Sequence, residues 1–276
     1  MSIKLMYITN NPEIAVIAEN CGVDSIWVDL EVLGKEERQQ SMNTVKSYHT
    51  IEDVGTISKV LKKSEMLVRI NSWNPNSEEE IEQVIAAGAQ RIMLPMWKTP
   101  EEVGRFLKQV NRRVNTTLLL ETKEAVECLD EVLKNPLLDE IHIGLNDLHL
   151  SYGMNFMFEP LANGCVEELC KKMKRAGIRY GFGGVARLGK GIIPAEMVIM
   201  EHYRLGSQRA ILSRSFCNAS EAEDIGQIEG IFKAEMEKLR SFEQSLSSYT
   251  PEMFEENRKA IKAMIEEVAR SIKTKK

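Results

Sequence analysis

The chain has 276 residues, a formal net charge of −5 and a hydrophobic fraction of 43%. This composition is typical of a globular protein and too apolar for a disordered one. The acidic balance argues against a nucleic-acid-binding protein, which needs a basic face for phosphate contacts. The start of the chain lacks the apolar core of a signal peptide, and no later stretch approaches about 18 apolar residues. We therefore expect a cytoplasmic protein that has no membrane partner.

Short β-rich runs alternate along the chain with amphipathic helical stretches, which is the pattern of parallel βα units. Strands are predicted over residues 4–9, 25–31, 65–71, 91–97, 116–122, 140–148, 179–186 and 209–216. Helices are predicted over residues 12–21, 51–62, 77–87, 100–110, 123–133, 166–175 and 194–205. The predicted fold class is α/β, a (β/α)8 TIM barrel with an additional C-terminal helix. A doubly wound sheet is the alternative, but its G-x-G-x-x-G fingerprint does not follow the first strand.

Two segments stand outside the repeat. A polar loop over residues 32–50 follows the second strand, on the face where long barrel loops usually carry function. We assign residues 1–248 to the barrel and residues 249–276 to an amphipathic C-terminal helix. The apolar stripe of this helix is formed by Phe254, Ile261, Met264, Ile265, Val268 and Ile272. We expect the stripe to pack on a neighbouring subunit, in a homo-oligomer that is a trimer or a hexamer.

Charged side chains end four of the predicted strands. Glu31, Arg69, Glu121 and Asp147 each follow an apolar run. In a barrel the C-terminal ends of the strands form the active-site face. A charge beside an apolar core is costly unless it is paired or bound to a metal. The four residues therefore predict a charged site at the barrel mouth, although structural ion pairs remain an alternative.

The types of these residues suggest their chemistry. Glu121 and Asp147 provide oxygen ligands for Mg²⁺ or Mn²⁺, which need only one or two protein carboxylates and take water or substrate oxygens besides. Arg69 is placed to hold a substrate carboxylate in the planar fork of its guanidinium. Asn71, two residues further along, is also predicted to bind substrate.

Five motifs along residues 3–220 together resemble one known family. They are V-D-L-E at residues 28–31, V-R-I-N at 68–71, G-A-x-x-I-M-L-P at 88–95, L-E-T at 120–122 and I-G-L-N-D-L at 143–148. This set is similar to the 4-hydroxy-2-oxoacid aldolase and citrate lyase β-subunit family, in the phosphoenolpyruvate/pyruvate barrel superfamily. Each motif is weak alone, but their order along the chain is specific.

The resemblance implies a Mg²⁺-dependent carbon–carbon lyase or aldolase that acts on an oxoacid or an acyl-CoA. It implies that Glu121 and Asp147 bind the metal and that Arg69 stabilises an enolate. Backbone N–H groups near Asn146 and Asp147 would hold the substrate carboxylate. Glu31 would lie behind the metal ligands and contact them.

The chain also departs from the family pattern. The aldolase branch has a histidine directly after the acid of the second strand as its general base, and here that position is Val32. The citrate lyase branch usually has an acid there. A glutamine of the aldolase branch is Leu119 here, and a proline is Leu145. The metal site is retained, but the base of either branch is missing.

The four histidines include possible replacements for that base. His49 lies in the long loop after the second strand, so we predict that it is the catalytic base. His149 is an alternative partner of Glu121 in a site for a redox metal. His142, near the start of a strand, and His202, in mid-helix, are predicted to have packing or surface roles.

Two other functions stay open. The run G-F-G-G at residues 181–184, with Arg187 and Arg214, lies where barrels commonly bind phosphate, so Arg187 is predicted to bind substrate. This would suit a phosphoenolpyruvate-using enzyme of another reaction type, although the glycines equally allow close packing of strands. A barrel that binds a metabolite without converting it is the third hypothesis.

Overall fold

The described residues form a closed barrel of eight parallel strands in chain order. The computed structural model describes residues 2–33, 49–213, 216 and 224–274. The strands are β1 Lys4–Ile8, β2 Ser25–Asp29, β3 Glu65–Arg69, β4 Arg91–Leu94, β5 Asn115–Leu120, β6 Glu140–Ile143, β7 Arg179–Val185 and β8 Arg209–Leu212. Lys4 of β1 pairs with Arg209 of β8 and closes the barrel. The predicted (β/α)8 fold is confirmed.

Helices follow the strands and cover the outside of the barrel. They are α1 Pro12–Asn20, α2 Ile51–Val60, α3 Ser77–Ala86, α4 Pro100–Val110, α5 Lys123–Val132, α6 Leu145–Ser151, α7 Glu159–Ala162, α8 Cys165–Arg175, α9 Ala195–Leu205, α10 Ile225–Ser245 and α11 Pro251–Lys273. Thr50 and Thr99 begin α2 and α4 with capping boxes, in which the acid three residues later returns the hydrogen bond. Among the described residues, no helix is long and apolar enough to span a membrane.

The sixth strand is shorter than the sequence predicted. β6 ends at Ile143, and residues 145–151 form helix α6 rather than the end of a strand. The chain passes from strand to helix at Gly144. Its N–H still donates to Leu120 O of β5 (3.0 Å), whereas its carbonyl accepts the first hydrogen bond of the helix, from Leu148 N (3.0 Å). Asp147 therefore lies in the first turn of a helix at the barrel mouth.

The interior of the barrel is layered. Its apolar middle is filled by Met6, Trp27, Leu67, Met93 and Leu119. Below it, two arginines and two glutamates form a closed ion-pair network, with distances from 2.8 to 3.8 Å, that joins Arg91 and Arg209 to Glu65 and Glu140. Buried charges are tolerated when they are paired in this way. The bottom of the barrel is thus sealed, and the opposite end is left for function.

The C-terminal helix packs against the barrel of its own chain. Ile261, Ile265 and Ala269 of α11 are buried, and α11 contacts α7 and α9. Asn257 Nδ2 donates to Met197 O (3.1 Å) and to Glu201 Oε1 (3.1 Å) of α9. Of the predicted stripe, Ile261 and Ile265 are buried in the single chain, and the other four residues are partly exposed. Packing of α11 on a neighbouring subunit stays a prediction.

Candidate active site

Arg69 and Asp29 form a two-point ion pair at the barrel mouth. The two residues are register partners at the ends of β3 and β2. Arg69 Nε donates to Asp29 Oδ1 (2.8 Å) and Nη2 donates to Asp29 Oδ2 (2.8 Å). The planar fork that the sequence analysis reserved for a substrate carboxylate is therefore filled by Asp29. Among the described residues, Nη1 is the Arg69 nitrogen that makes no hydrogen bond, so its two N–H groups are left for a ligand.

Arg69 is held from two other directions. Its guanidinium carbon lies 5.0 Å from the ring centroid of Trp27, which is a cation–π distance. Glu31 Oε2 lies 3.2 Å from Nη2. Burial alone would lower the pKa of Arg69, but the carboxylates of Asp29 and Glu31 outweigh it and raise that pKa above its ordinary value. Arg69 is a permanently charged group.

Glu121 lies directly after β5, and its buried carboxylate is held by the neighbouring strand connection. Met96 N donates to Glu121 Oε1 (3.0 Å). On the other side, a Cβ added to Gly144 would lie 2.8 Å from Glu121 Oε2. The carboxylate therefore occupies space that any side chain at position 144 would fill.

The charges around Glu121 show which acids share the mouth with it. Burial and the carboxylates of Asp147 and Glu31 raise the pKa of Glu121 well above its ordinary value, and Arg69 opposes this rise. Repulsion between carboxylates is relieved when a cation lies between them. The convergence of Glu121, Asp147 and Glu31 was expected from the ends of their strands, and Asp147 reaches it from α6.

The donor set suits a hard divalent cation. Glu121 and Asp147 supply carboxylate oxygens, and Gly144 leaves room beside Glu121 Oε2. Within the described ranges, no three His, Cys, Asp or Glu side chains form a metal cage. Mg²⁺ fits such a site, because it is usually bound through one or two carboxylates and completes its coordination with water and substrate oxygens.

His49 lies beside Asp29 rather than at the strand position of the family histidine. Its Nδ1 accepts a hydrogen bond from Asp29 N (3.0 Å). This bond holds the imidazole against the end of β2, and the role of His49 as a general base stays a prediction.

Asn71 is engaged with the chain at the start of the long loop. Its Oδ1 accepts from Val32 N (2.9 Å) and Leu33 N (3.1 Å), and its Nδ2 donates to Glu80 Oε1 (2.8 Å) of α3. Val32, at the family histidine position, is 52% exposed. Asn71 thus fastens the segment after β2 to α3, and contact between Asn71 and substrate stays a prediction.

The other three histidines are buried in the chain. His149 Nδ1 contacts Asn146 O within α6, and no metal group with Glu121 forms among the residues described. His142 Nε2 contacts Gly183 O (3.2 Å). His202 stacks on Phe182 at 3.8 Å between ring centroids. His142 and His202 therefore have the packing roles that the sequence analysis gave as one of two expectations.

The glycine-rich run of β7 serves close packing. A Cβ on Gly181 would lie 2.2 Å from Arg209 O of β8, and a Cβ on Gly183, whose φ is +52°, would lie 2.7 Å from Leu145 Cδ1. Arg187 Nε donates to Phe216 O (2.6 Å) and joins the connections after β7 and β8. Arg214 lies outside the described residues. Substrate binding by Arg187 stays a prediction.

Four residues of the mouth were missed by sequence reasoning. Asp29 was part of a quoted motif, and only the β2–β3 register reveals it as the partner of Arg69. Trp27 supports Arg69 from below. Met96 and Gly144 frame Glu121. No pattern in the sequence marks Met96, since its contribution is a backbone N–H.

A family model for HpcH/HpaI aldolase/citrate lyase matches residues 4–159, which is more than half of the chain. The chain belongs to the HpcH/HpaI aldolase/citrate lyase family, and it is an enzyme of the lyase type. Among curated proteins, none matches the sequence at a significant level.

Solved structures share the fold at low sequence identity. The HpcH/HpaI aldolase from Desulfitobacterium hafniense DCB-2 is 18% identical with a TM-score of 0.60, over 77% of this chain and 86% of that one. An HpcH/HpaI aldolase/citrate lyase family protein from Burkholderia cenocepacia J2315 is 14% identical with a TM-score of 0.59, over 89% and 93%. Citrate synthase SbnG is 17% identical with a TM-score of 0.58, over 87% and 94%. Likeness at these identities concerns the fold alone.

Proposed function

We propose that the protein is a Mg²⁺-dependent carbon–carbon lyase that cleaves an oxoacid or an acyl-CoA through an enolate. The observation that carries the proposal is the arrangement of Glu121, Asp147 and Arg69 at one end of the barrel. The carboxylate of Asp147 helps to raise the pKa of Glu121, and Arg69, whose plane is fixed by Asp29, opposes that rise.

Glu121 and Asp147 would hold the ion. When bound, Mg²⁺ supplies Lewis-acid stabilisation of the oxygen on which negative charge develops. Arg69 supplies a second positive charge, already oriented before substrate arrives. Preorganised charge of this kind is usually the largest contribution to catalysis, because no reorganisation is needed in the transition state.

Arg69 is assigned to the enolate oxygen. Because Asp29 fills the Nε–Nη2 edge and Glu31 lies against Nη2, substrate would meet Arg69 through the two N–H groups of Nη1, which suits a single oxygen atom. The substrate carboxylate is assigned to the first turn of α6 at Asn146 and Asp147. Gly144, which precedes this turn, provides no side-chain cap, and first-turn N–H groups bind anions.

The residue at the family histidine position is Val32, which has no side-chain group that accepts a proton. His49, whose Nδ1 is bound to Asp29 N, is the candidate for a replacement base. Cleavage that releases CO₂ from a β-oxoacid breaks a carbon–carbon bond and leaves an enolate, with no proton to be removed by a base. Cleavage of a 4-hydroxy-2-oxoacid needs removal of the hydroxyl proton as well. We therefore expect β-oxoacids to react faster than hydroxy-oxoacids.

The experiment is a substrate panel followed by NMR with Mg²⁺ present. The panel contains oxaloacetate, 4-hydroxy-2-oxoacids, and malyl- and citramalyl-CoA. The proposal predicts cleavage of at least one member above the rate without enzyme, with oxaloacetate first. Tight Mg²⁺ binding without cleavage of any member would contradict the proposal and favour a barrel that binds a metabolite without converting it.

A further inference from the structure

The backbone at Met96 adopts a conformation that methionine rarely takes. Its φ is +54°, in the left-handed region. A side chain with a Cβ is strained there, and such residues persist only where the surrounding structure holds them. Met96 lies in the connection from β4 to α4, at the same end of the barrel as Glu121.

The left-handed turn directs one backbone N–H at the candidate metal ligand. Met96 N donates to Glu121 Oε1 (3.0 Å). The next residue of each connection makes a second hydrogen bond, in which the residue after β5 is the donor: Thr122 Oγ1 donates to Trp97 O (2.8 Å). Trp97 is buried and anchors the turn in the core. Two consecutive residues after β4 thus hold two consecutive residues after β5.

Gly144 lies on the opposite side of the Glu121 carboxylate, and its lack of a side chain leaves space for Oε2. Gly144 has a φ of −82°, which any residue can adopt, so glycine is not needed there for the backbone. A Cβ at this position would lie 2.8 Å from Glu121 Oε2 and 3.0 Å from Glu121 Cβ. Gly144 also immediately precedes α6, which carries Asp147.

We propose that Met96 is a positioning residue for Glu121: its left-handed turn aims the backbone N–H at Oε1, and Gly144 leaves the space that Oε2 occupies. The inference rests on the proposed function, since it assigns Oε2 to the metal. Carboxylate ligands whose second oxygen is hydrogen-bonded are oriented before the ion arrives, and loss of such partners commonly weakens metal affinity.

The test measures Mg²⁺ affinity by calorimetry and the melting temperature of the metal-free chain, for wild type and variants. Met96→Val places a β-branched residue where φ is positive and displaces the N–H. We expect its Mg²⁺ affinity to fall by about 10-fold or more. Met96→Gly tolerates the turn and is expected to lose far less affinity, with an unchanged or higher melting temperature.

Matched control variants separate the positioning of Glu121 from the general effect of backbone strain on stability. Arg112 also has a positive φ, +58°, but it follows α4 at the opposite end of the barrel. Arg112→Val should lower the melting temperature without changing Mg²⁺ affinity. Gly144→Ala should weaken Mg²⁺ binding, whereas Gly55→Ala, with no atom within 4 Å of its added Cβ, should not.

The outcomes distinguish this role from the function on which it rests. Weaker Mg²⁺ binding in Met96→Val and Gly144→Ala, with binding retained in both controls, supports the role. Wild-type affinity in both site variants would overturn it and leave the proposed function intact. A wild-type chain that binds no Mg²⁺ would overturn the proposed function and this role together.

Discussion

Asp29 binds Arg69 through both of its carboxylate oxygens, each 2.8 Å from a guanidinium nitrogen, at the point where β2 and β3 end side by side. The pair fixes the plane of the arginine whose charge opposes the raised pKa of Glu121. The pair also limits how Arg69 can bind substrate, because its Nε and Nη2 atoms already donate to Asp29. Arg69 is an oriented charge whose Nη1 N–H groups remain for substrate.

Replacing this arginine by lysine tests that geometry. Arg69→Lys keeps the charge, but an ammonium group cannot span both oxygens of Asp29 and also reach a substrate. We expect kcat to fall by about 10²-fold, the typical effect of losing one oriented donor. Steady-state kinetics with the best substrate of the panel measure it. Arg105→Lys, at an exposed pair with Glu101, is the control and should leave kcat unchanged; an equal loss in both variants would contradict the account.

The contact between Asn71 and Glu80 predicts coupled effects on stability. Asn71 Nδ2 and Asn71 N both donate to the Glu80 carboxylate, and Asn71 Oδ1 holds the residues after β2. Asn71→Ala and Glu80→Ala should each destabilise the fold, and the double variant should lose less than the sum of the two. A coupling free energy of about 0.5–3 kcal/mol is expected from urea unfolding of the four proteins. Additive losses would show that the two side chains act independently.

Two buried histidines predict how stability depends on pH. Burial lowers the pKa of His142 from 6.5 to about 3, with a contribution from Arg209, and burial beside His142 lowers the pKa of His202 to about 3. The unfolded chain therefore binds protons below pH 6.5 that the folded chain does not. The free energy of unfolding is therefore unaffected by these two groups above pH 6.5. As the pH falls from 6.5 toward 3, it decreases by up to about 1.4 kcal/mol per pH unit for each histidine.

Urea unfolding between pH 7.5 and 5.5 measures that slope. His202→Phe removes one of the two groups and keeps a ring against Phe182. The variant should show a shallower fall in unfolding free energy over this interval. A slope equal to that of wild type would mean that His202 does not remain neutral in the folded chain.

Glu19 should contribute strongly to stability although it lies far from the mouth. Its Oε1 accepts from the backbone N–H groups of Lys62, Lys63 and Ser64 at 2.7–2.8 Å. Burial raises the pKa of Glu19, but the three donors outweigh burial and hold that pKa below its ordinary value. Glu19→Gln should lower the unfolding free energy by about 1–3 kcal/mol. Glu13→Gln, exposed in the same helix, should change it by less than about 0.5 kcal/mol; similar values for both would contradict this role.

The fold was predictable because its signals are local. Alternation of β-rich and amphipathic runs located all eight strands of the described barrel, with ends within a few residues. The error at β6 has a physical cause. The apolar residues Leu145 and Leu148 suit a strand end as well as a short helix, and only the turn at Gly144 decides between them.

The site was predictable in part. Glu121, Asp147 and Arg69 stood out because charges beside apolar runs are costly, and the structure brings their charges together. The Asp29–Arg69 pair was not predictable, since strand register decides it. The N–H of Met96 has no signal in the sequence, because any residue but proline carries one.

Mg²⁺-dependent decarboxylation of oxaloacetate tests the central claim most directly, because CO₂ release leaves the enolate that the site should stabilise. The rate is measured with and without EDTA for wild type, Glu121→Gln and Asp147→Asn, after subtracting the rate of Mg²⁺ alone. We predict turnover in wild type that EDTA abolishes and that both variants lose by at least about 10²-fold while they remain folded. Turnover that survives in either variant, or that persists in EDTA, would contradict a metal site built from Glu121 and Asp147.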